Sequence, residues 1–205
     1  MWLFAFQIQK EKIHKMSFSD KEIKWASPFR NSEIRLPLGS TQYNSMGARE
    51  THDQSHLKCG VDLNCDSGTS VYAVESGNIV SIETFFNNKK RPWISSSKAV
   101  LVEGPNGVVC YGNVAVNNNL KIGAQIKQGD AIGTVVSYYK KEQNKGTSRL
   151  RIELYRFGTI KRPKWRIGKP PPKNLLNPTS LLMPLIITTI QRRRPFSSKL
   201  ANKSF

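Results

Sequence analysis

Short runs of alternating apolar and polar residues, separated by glycine-rich turns, recur through the middle of the chain. Residues 69–76 (TSVYAVES) alternate and are rich in β-forming residues, and residues 78–86 (NIVSIETFF) follow directly after Gly77. This arrangement predicts two strands joined by a tight hairpin at that glycine. Residues 98–104 and 107–116 flank the turn sequence PNG and predict a second hairpin.

Two further segments continue the pattern. Residues 125–139 (QIKQGDAIGTVVSYY) contain a turn at Gly129–Asp130, and residues 148–155 (SRLRIELY) alternate strictly. Strands at spacings of about 8–12 residues, without convincing helical periodicity, predict an all-β protein. Two glycine-centred runs, at 66–82 and 120–136, echo each other. We therefore expect an antiparallel β-sandwich of the duplicated hybrid-motif type.

The flanks of this β-rich region have a different texture. Residues 1–35 predict an irregular leader, residues 36–183 the β-sheet core domain, and residues 184–205 a basic extension that we expect to be disordered. The apolar run at 181–190 (LLMPLIITTI) is interrupted by Pro184. It falls short of the roughly 20 residues that a membrane helix needs, so we predict no transmembrane segment and interpret the run as a strand or a docking segment.

Charge is spread unevenly along the chain, whose net charge is +18. Residues 1–153 hold 20 Lys/Arg and all 14 Asp/Glu, whereas residues 154–205 hold 12 Lys/Arg and no acid. A segment of one sign predicts contact with an anionic partner or a large protein or nucleoprotein assembly. The expected contacts include Arg192, Arg193 and Arg194. The alternative is a solvated extension that only aids solubility.

Cysteine usage and the N-terminus bear on the compartment. The cysteines are Cys59, Cys65 and Cys110, and an odd number at low density favours a reducing, intracellular environment. The first residues are apolar, but no basic region precedes them and no small-residue cleavage site follows, which makes a poor secretory signal. Pairing of Cys65 with Cys110, a start at Met1 or Met16, and the oligomeric state stay open.

Residues 57–82 (LKCGVDLNCDSGTSVYAVESGNIVSI) resemble the start of the lysostaphin/LytM-type zinc metalloendopeptidases, including their leukocyte-chemotaxin-like branch. The family segment reads H-x-G-x-D, then a small-residue turn, then G-x-x-V-x-A-x-x-x-G-x-V. The positions in register are Gly60, Asp62, Gly68, Val71, Ala73, Gly77 and Val80.

Four later segments extend the resemblance over residues 36–183. Residues 108–116 resemble the family's Tyr-x-His strand, and residues 120–135 its glycine-rich V-x-x-G segment. Residues 149–155 are similar to the H-x-H-F-E strand, and residues 174–182 to the closing D-P-T-x-Y-L motif.

The resemblance implies a zinc site whose ligands are the His and Asp of H-x-G-x-D and the second His of H-x-H. It also implies two histidines, from Tyr-x-His and the first of H-x-H, that act on the water and the oxyanion. On this chain those positions are, in the same order, Lys58, Asp62, Arg151, Asn113 and Arg149. Only the aspartate is retained.

These replacements change the chemistry of the site. Zinc needs three or four N, S or O donors at about 2.0–2.3 Å, and protonated Lys and Arg have no lone pair to give. We therefore expect no metal or other cofactor, and an ion pair between Asp62 and Arg151 or Lys58. Together with Arg149, these side chains form either a locked ion-pair site or an anion site.

Residues close in sequence offer an alternative metal site. His56, Cys59 and Asp62 offer imidazole, thiolate and carboxylate donors, and His52 and Cys65 lie nearby. Zinc would be a cofactor only if such a site forms.

The residues favour a catalytically inactive metallopeptidase-like domain that acts as a binding or scaffold module, with its basic tail on an anionic partner. One alternative is a zinc metalloendopeptidase or peptidoglycan hydrolase with non-standard ligands. A second alternative, a nucleic-acid-binding protein, rests on charge alone.

Overall fold

A computed structural model of the chain describes residues 24–30, 45–50, 55–86, 97–137 and 148–185. In these residues it contains eleven strands: β1 (His56–Leu57), β2 (Gly60–Cys65), β3 (Ser70–Tyr72), β4 (Gly77–Thr84), β5 (Lys98–Gly104), β6 (Gly107–Val116), β7 (Gln125–Ile126), β8 (Ala131–Val135), β9 (Ser148–Tyr155), β10 (Trp165–Arg166) and β11 (Leu175–Leu176). One short helix, α1, covers residues 179–185.

Nine of the described strands form one antiparallel sheet, whose main path runs β11-β9-β6-β5-β4-β7. β2 pairs with β9, and β8 pairs with both β3 and the C-terminal end of β6. β1 and β10 form a separate two-stranded sheet. The prediction of an antiparallel all-β fold is confirmed.

One of the two predicted hairpins is confirmed and the other is wrong. β5 and β6 pair across the PNG turn, where Gly107 has a φ of 121° that favours glycine. The predicted hairpin at Gly77 does not form, because β3 pairs with β8 while β4 pairs with β5 and β7. A Cβ at Gly77 would lie 2.3 Å from the Glu103 carbonyl oxygen, so this glycine permits close approach to β5.

The hydrophobic residues form two clusters. Alternate residues of β9 (Leu150, Ile152 and Leu154) enter the larger cluster, which also takes Cys65. The smaller cluster contains Cys59, Phe85, Leu101, Cys110 and Tyr155, among others. All three thiols are free and buried, so Cys65 and Cys110 are not paired.

Part of the predicted leader packs on the core. Residues 24–30 contain neither helix nor strand, yet Trp25 and Phe29 are buried in the larger cluster. The Trp25 indole donates to Glu75 Oε2 at 2.9 Å, and the Ala26 N–H donates to the Val74 carbonyl at 2.8 Å. This short segment therefore packs against the larger cluster.

The interpretation of residues 181–190 as a strand is wrong for the part that the structure describes, because residues 179–185 form α1. Asn177 Oδ1 accepts a hydrogen bond from the Thr179 N–H at 3.0 Å, which caps the helix, and Pro178 suits its first turn. Leu182 is buried in the larger cluster. No helix in the described residues is long and apolar enough to cross a membrane.

Candidate functional site

The site lies where β2 and β9 pair. Their antiparallel register sets Asp62 opposite Arg151 and Asn64 opposite Arg149. Because side chains alternate along a strand, the arginines of β9 lie on the face opposite to the one that Leu150 and Ile152 present to the larger core cluster. Lys58 precedes β2, and its N–H donates to the Ala48 carbonyl at 2.8 Å.

Three cationic side chains contact one carboxylate. Lys58 Nζ lies 2.5 Å from Asp62 Oδ2. Arg151 holds both carboxylate oxygens, with Nε 2.6 Å from Oδ1 and Nη2 3.2 Å from Oδ2. Arg149 Nη1 lies 3.3 Å from Oδ2. The other edge of the Arg151 guanidinium is paired with Glu50 through both of its Nη atoms. We call these five residues the Asp62 cluster.

Most charged groups of the Asp62 cluster are buried, which strengthens the interactions between them. Lys58 and Asp62 are both 0% exposed, whereas the Arg149 side chain is 21% exposed. With all its side chains ionised, the Asp62 cluster contains three cations and two carboxylates. Charges in a buried environment interact strongly, because they are screened less than in water.

The pKa values follow from this arrangement. Burial would raise the pKa of Asp62, but the charges and hydrogen bonds of Arg151 and Lys58 outweigh it and hold the pKa at about 2. Burial lowers the pKa of Lys58, and the attraction of Asp62 offsets this only in part. For Arg151, burial is outweighed by Asp62 and Glu50, so its pKa is raised. The cluster therefore holds an ionised Asp62 at neutral pH.

Asn113 lies beside the cluster in a different role. Its φ of 69° is left-handed, which asparagine tolerates better than most residues. Its Oδ1 accepts from Ser97 Oγ at 2.9 Å, and its Nδ2 donates to the carbonyls of Val136 and Arg149 at 3.0 and 2.8 Å. Both ends of the amide are thus engaged in joining neighbouring strands and loops.

This donor set does not fit a zinc ion. Zinc in proteins is held by thiolate, imidazole and carboxylate groups. The Asp62 cluster offers carboxylates from Asp62 and Glu50 but no imidazole or thiolate, and three cationic side chains contact Asp62.

The alternative metal site is not assembled. Cys59 packs in the smaller core cluster, its Sγ donates to the Pro163 carbonyl at 3.7 Å, and burial raises its pKa to about 12. His56 lies in β1, which pairs with β10, and Asp62 is held by Lys58 and Arg151. Within the residues that the structure describes, no group of three His, Cys, Asp or Glu side chains is placed to hold a metal.

Several predicted residues lie outside the described ranges. They are His52 beside the alternative metal site and the tail arginines Arg192, Arg193 and Arg194. The predicted disorder of the basic tail concerns residues that, apart from the first two, also lie outside the described part of the chain.

Sequence reasoning missed a second buried ion pair further along β9. Both oxygens of Glu153 are held by Arg162, through Nε at 2.7 Å and Nη2 at 2.8 Å. The Tyr155 hydroxyl also donates to Glu153 at 2.6 Å, and the Arg162 guanidinium lies 4.3 Å from the Phe85 ring centre. Arg162 lies in the segment after β9. Because that segment contains many Lys and Arg residues, nothing in the sequence marks Arg162 as the partner of Glu153.

Glu50 was also missed. Its segment is fixed by backbone bonds, with the Gly47 N–H donating to the Lys58 carbonyl at 2.9 Å and the Glu50 N–H donating to the His56 carbonyl at 2.9 Å. No motif marks this position, because the contact depends on tertiary structure.

Comparison with known proteins gives the class of protein. The model of peptidase family M23 matches residues 56–163, which is more than half of the chain. The chain belongs to this family. Among curated proteins, no match is found.

The chain also matches solved structures, at low sequence identity. The structure of CbpA from L. salivarius REN is 18% identical, covers 81% of this chain and 99% of its own, and has a TM-score of 0.49. The catalytic domain of the antimicrobial peptidase lysostaphin from Staphylococcus simulans is 18% identical, with coverages of 68% and 89% and a TM-score of 0.43.

Helicobacter pylori Csd3 is 15% identical, and the match covers 83% of this chain with a TM-score of 0.43. The match spans only 41% of the Csd3 chain.

Proposed function

We propose that this chain is a catalytically inactive member of its peptidase family that acts as a binding or scaffold module. One observation carries the proposal: both oxygens of the Asp62 carboxylate are taken by Lys58 and Arg151 in a buried cluster. Of the three positions that resemble the family's zinc ligands, only Asp62 keeps a residue type that can bind zinc.

Charge compensation supports this reading. A buried carboxylate that loses a metal ion needs another cation, since an unpaired buried charge is costly. The Arg151 guanidinium supplies a planar fork that meets both oxygens of Asp62, and Lys58 adds a second cation at 2.5 Å. A zinc ion entering here would meet these two cations and Arg149.

The positions that resemble the family's catalytic histidines support the same conclusion. A general base must accept a proton, and arginine stays protonated in proteins. Arg149 therefore offers no base, and the Asn113 amide is held by Ser97, Val136 and the Arg149 backbone. Activation of a water for peptide hydrolysis has no group to perform it at these positions.

The fold-specifying glycines are retained although the chemistry is not. A Cβ at Gly60 would lie 2.1 Å from the Ile152 carbonyl oxygen, and one at Gly133 would lie 2.0 Å from the Ala115 carbonyl oxygen. Both glycines keep the antiparallel strands packed closely. A domain that keeps its packing residues and lacks its catalytic residues is suited to binding, and the acid-free basic C-terminal region suits an anionic partner.

A back-substitution tests the inactive site. The full chain and a variant carrying Lys58→His, Asn113→His, Arg149→His and Arg151→His are titrated with zinc by calorimetry and then incubated with peptidoglycan. We expect no zinc binding and no hydrolysis by the natural chain, and about one zinc per variant molecule, because the variant has the imidazole and carboxylate donors that zinc prefers. The variant thereby shows that the assay detects a zinc site on this scaffold.

Zinc-dependent hydrolysis by the natural chain, abolished by Asp62→Ala, would replace the proposal with the hydrolase alternative. Should the variant fail to fold, as judged by circular dichroism, zinc titration and hydrolysis by the natural chain alone decide the matter.

Binding through the tail has its own test. Replacing Arg193 and Arg194 by alanine should weaken binding to heparin, a polyanion, and flatten the dependence of binding on salt. A chain with fewer cations releases fewer counterions from the polyanion when it binds. The matched control replaces Lys121 and Lys127, which are exposed on the folded domain. An equal effect of both pairs would contradict a specific role for the tail.

A further inference from the structure

The turn after β9 carries two large apolar side chains in contact with solvent. Phe157 is 64% exposed and Ile160 is 67% exposed, and they lie on either side of Gly158, whose φ of 75° allows the tight turn. Apolar side chains of this size are more often found in a core or an interface. We call residues 156–161 the apolar turn.

Hydrogen bonds hold the apolar turn in this conformation. Thr159 Oγ1 donates to the Arg156 carbonyl at 2.7 Å, and Asn174 Nδ2 donates to Thr159 Oγ1 at 3.2 Å. The Gly158 N–H donates to Glu103 Oε2 at 3.1 Å. The exposed position of Phe157 and Ile160 is therefore built into the fold, and little conformational entropy is left to lose when the turn binds something.

Exposed cations lie at and beside the apolar turn. Residues 156–173 contain seven Lys/Arg and no acid. Arg156, Lys161 and Lys173 are exposed, and Arg156 Nε donates to the Lys173 carbonyl at 3.2 Å, which sets these two residues side by side. The acid that faces the turn from β5 is Glu103, and its carboxylate accepts from the Gly158 N–H.

We propose that the apolar turn is a membrane-contact site that binds the surface of an anionic lipid bilayer. Phe157 and Ile160 insert at the boundary between head groups and acyl chains, while Arg156, Lys161 and Lys173 contact the lipid phosphates and carboxylates. Each part is needed, because a few basic residues or one or two apolar side chains alone give weak, reversible binding.

The pair of apolar side chains favours a lipid surface over nucleic acid. Proteins that bind single-stranded nucleic acid stack bases on aromatic rings in a basic groove. The apolar turn has one aromatic ring, and Ile160 has no flat face for a base to stack on. An aliphatic side chain held at 67% exposure gains free energy by leaving water for an acyl boundary.

A fluorescence experiment on the full chain tests insertion directly. Ile160→Cys is labelled with an environment-sensitive dye, and the same label on Ile122→Cys is the control, because Ile122 is also 64% exposed but lies in a different turn. The native cysteines are buried, so the introduced thiol takes the label. Vesicles of phosphatidylcholine with phosphatidylserine should shift the emission of the Ile160 label to shorter wavelength and leave the Ile122 label unchanged.

Vesicle co-sedimentation then separates insertion from charge attraction. Phe157→Ser with Ile160→Ser should weaken partitioning about tenfold, because two apolar side chains no longer leave water, whereas Ile122→Ser should have no effect. Lys161→Glu with Lys173→Glu should abolish the preference for phosphatidylserine more strongly than Lys121→Glu with Lys127→Glu. These surface changes leave the packed core intact, so all variants should unfold at the temperature of the natural chain.

Three results would overturn the proposal. They are equal partitioning of the double-serine variant and the natural chain, an emission shift of the Ile122 label equal to that of Ile160, and tighter binding to single-stranded RNA than to the anionic vesicles. The proposal does not rest on catalytic inactivity, since the turn lies beyond the end of β9, whose middle carries Arg151.

Discussion

One face of β9 carries two buried ionic clusters that differ in their balance of charge. Near the start of the strand, Arg149, Arg151 and Lys58 contact Asp62, and Glu50 pairs with Arg151. Further on, Glu153 pairs with Arg162 through two hydrogen bonds at 2.7 and 2.8 Å. Counting only residues that the structure describes, the first cluster contains three cations and two acids, whereas the second is a balanced pair.

The difference separates a structural ion pair from the candidate site. Glu153 and Arg162 satisfy each other, with Tyr155 completing the hydrogen bonds of the carboxylate. The Asp62 cluster holds Lys58 where burial disfavours its charge, and the pKa of Lys58 is lowered as a consequence. The proposed function accounts for this arrangement, because the cationic side chains would then compensate the carboxylate in place of a metal ion.

The largest effect should come from neutralising the shared carboxylate. Asp62→Asn removes the carboxylate that Lys58, Arg149 and Arg151 share, and Glu50 still pairs with Arg151. We expect a loss of about 3–5 kcal/mol in the free energy of unfolding, the scale for removing one partner of a buried ion pair. Urea denaturation at neutral pH measures it. The control Asp66→Asn, at an exposed aspartate, should change stability by less than about 0.5 kcal/mol. Equal stability of the two variants would show that the Asp62 cluster is not compensated as described.

The balanced pair should be less sensitive. Glu153→Gln keeps a hydrogen-bond acceptor for Arg162, whose side chain is 17% exposed and can be hydrated in part. We expect a loss of about 2–3 kcal/mol, the scale of a hydrogen bond to a charged group. The same urea experiment gives the order of the two variants, and a cost above that of Asp62→Asn would reverse the comparison.

Lowering the pH should reduce the stability of the folded chain through protonation of Asp62. The pKa of Asp62 is about 2 in the folded chain and 3.8 for an ordinary aspartate. As the pH falls, Asp62 is therefore protonated in the unfolded chain before it is protonated in the folded chain. The stabilisation is complete above pH 3.8 and is lost as the pH falls through about 2, with a total of about 2 kcal/mol.

Because burial of Glu153 is outweighed by Arg162 and its pKa is also lowered, the measurement uses Glu153→Gln, which isolates the Asp62 contribution. Urea denaturation of this variant from neutral pH into this acid range should show the loss. A flat profile would contradict the lowered pKa of Asp62.

The smallest effect should follow the loss of the buried lysine. Lys58→Met fills a similar volume, and Arg151 still holds both oxygens of Asp62. Because burial already disfavours the Lys58 charge, we expect a cost of about 1 kcal/mol and a rise in the pKa of Asp62. Carbon NMR titration of the aspartate carboxyl groups follows the pKa. Lys121→Met is the control, and an unchanged Asp62 pKa in Lys58→Met would remove Lys58 from the cluster.

The parts of the fold that sequence predicts are local. The PNG turn and the turn at Gly129 carry glycines with positive φ, and turn chemistry is written in a few adjacent residues. The pairing of β3 with β8 joins strands about sixty residues apart, which no local pattern specifies. α1 was missed because its apolar residues are too few to show a helical period.

The candidate site divides in the same way. The motif register places Lys58, Asp62 and Arg151 at positions that resemble one site, and the structure has them in contact. Glu50 and Arg162 come from irregular segments, and only packing brings them to β9. Their charges look in the sequence like ordinary surface charges.

The metal content of the full chain decides whether a metal ion or the cationic side chains compensate Asp62. The protein is purified without chelator and analysed by elemental mass spectrometry at a known concentration, beside Asp62→Ala. If Lys58 and Arg151 compensate Asp62, both proteins contain only trace zinc. Zinc near one equivalent in the natural chain, lost in Asp62→Ala, would contradict the account and identify Asp62 as a metal ligand.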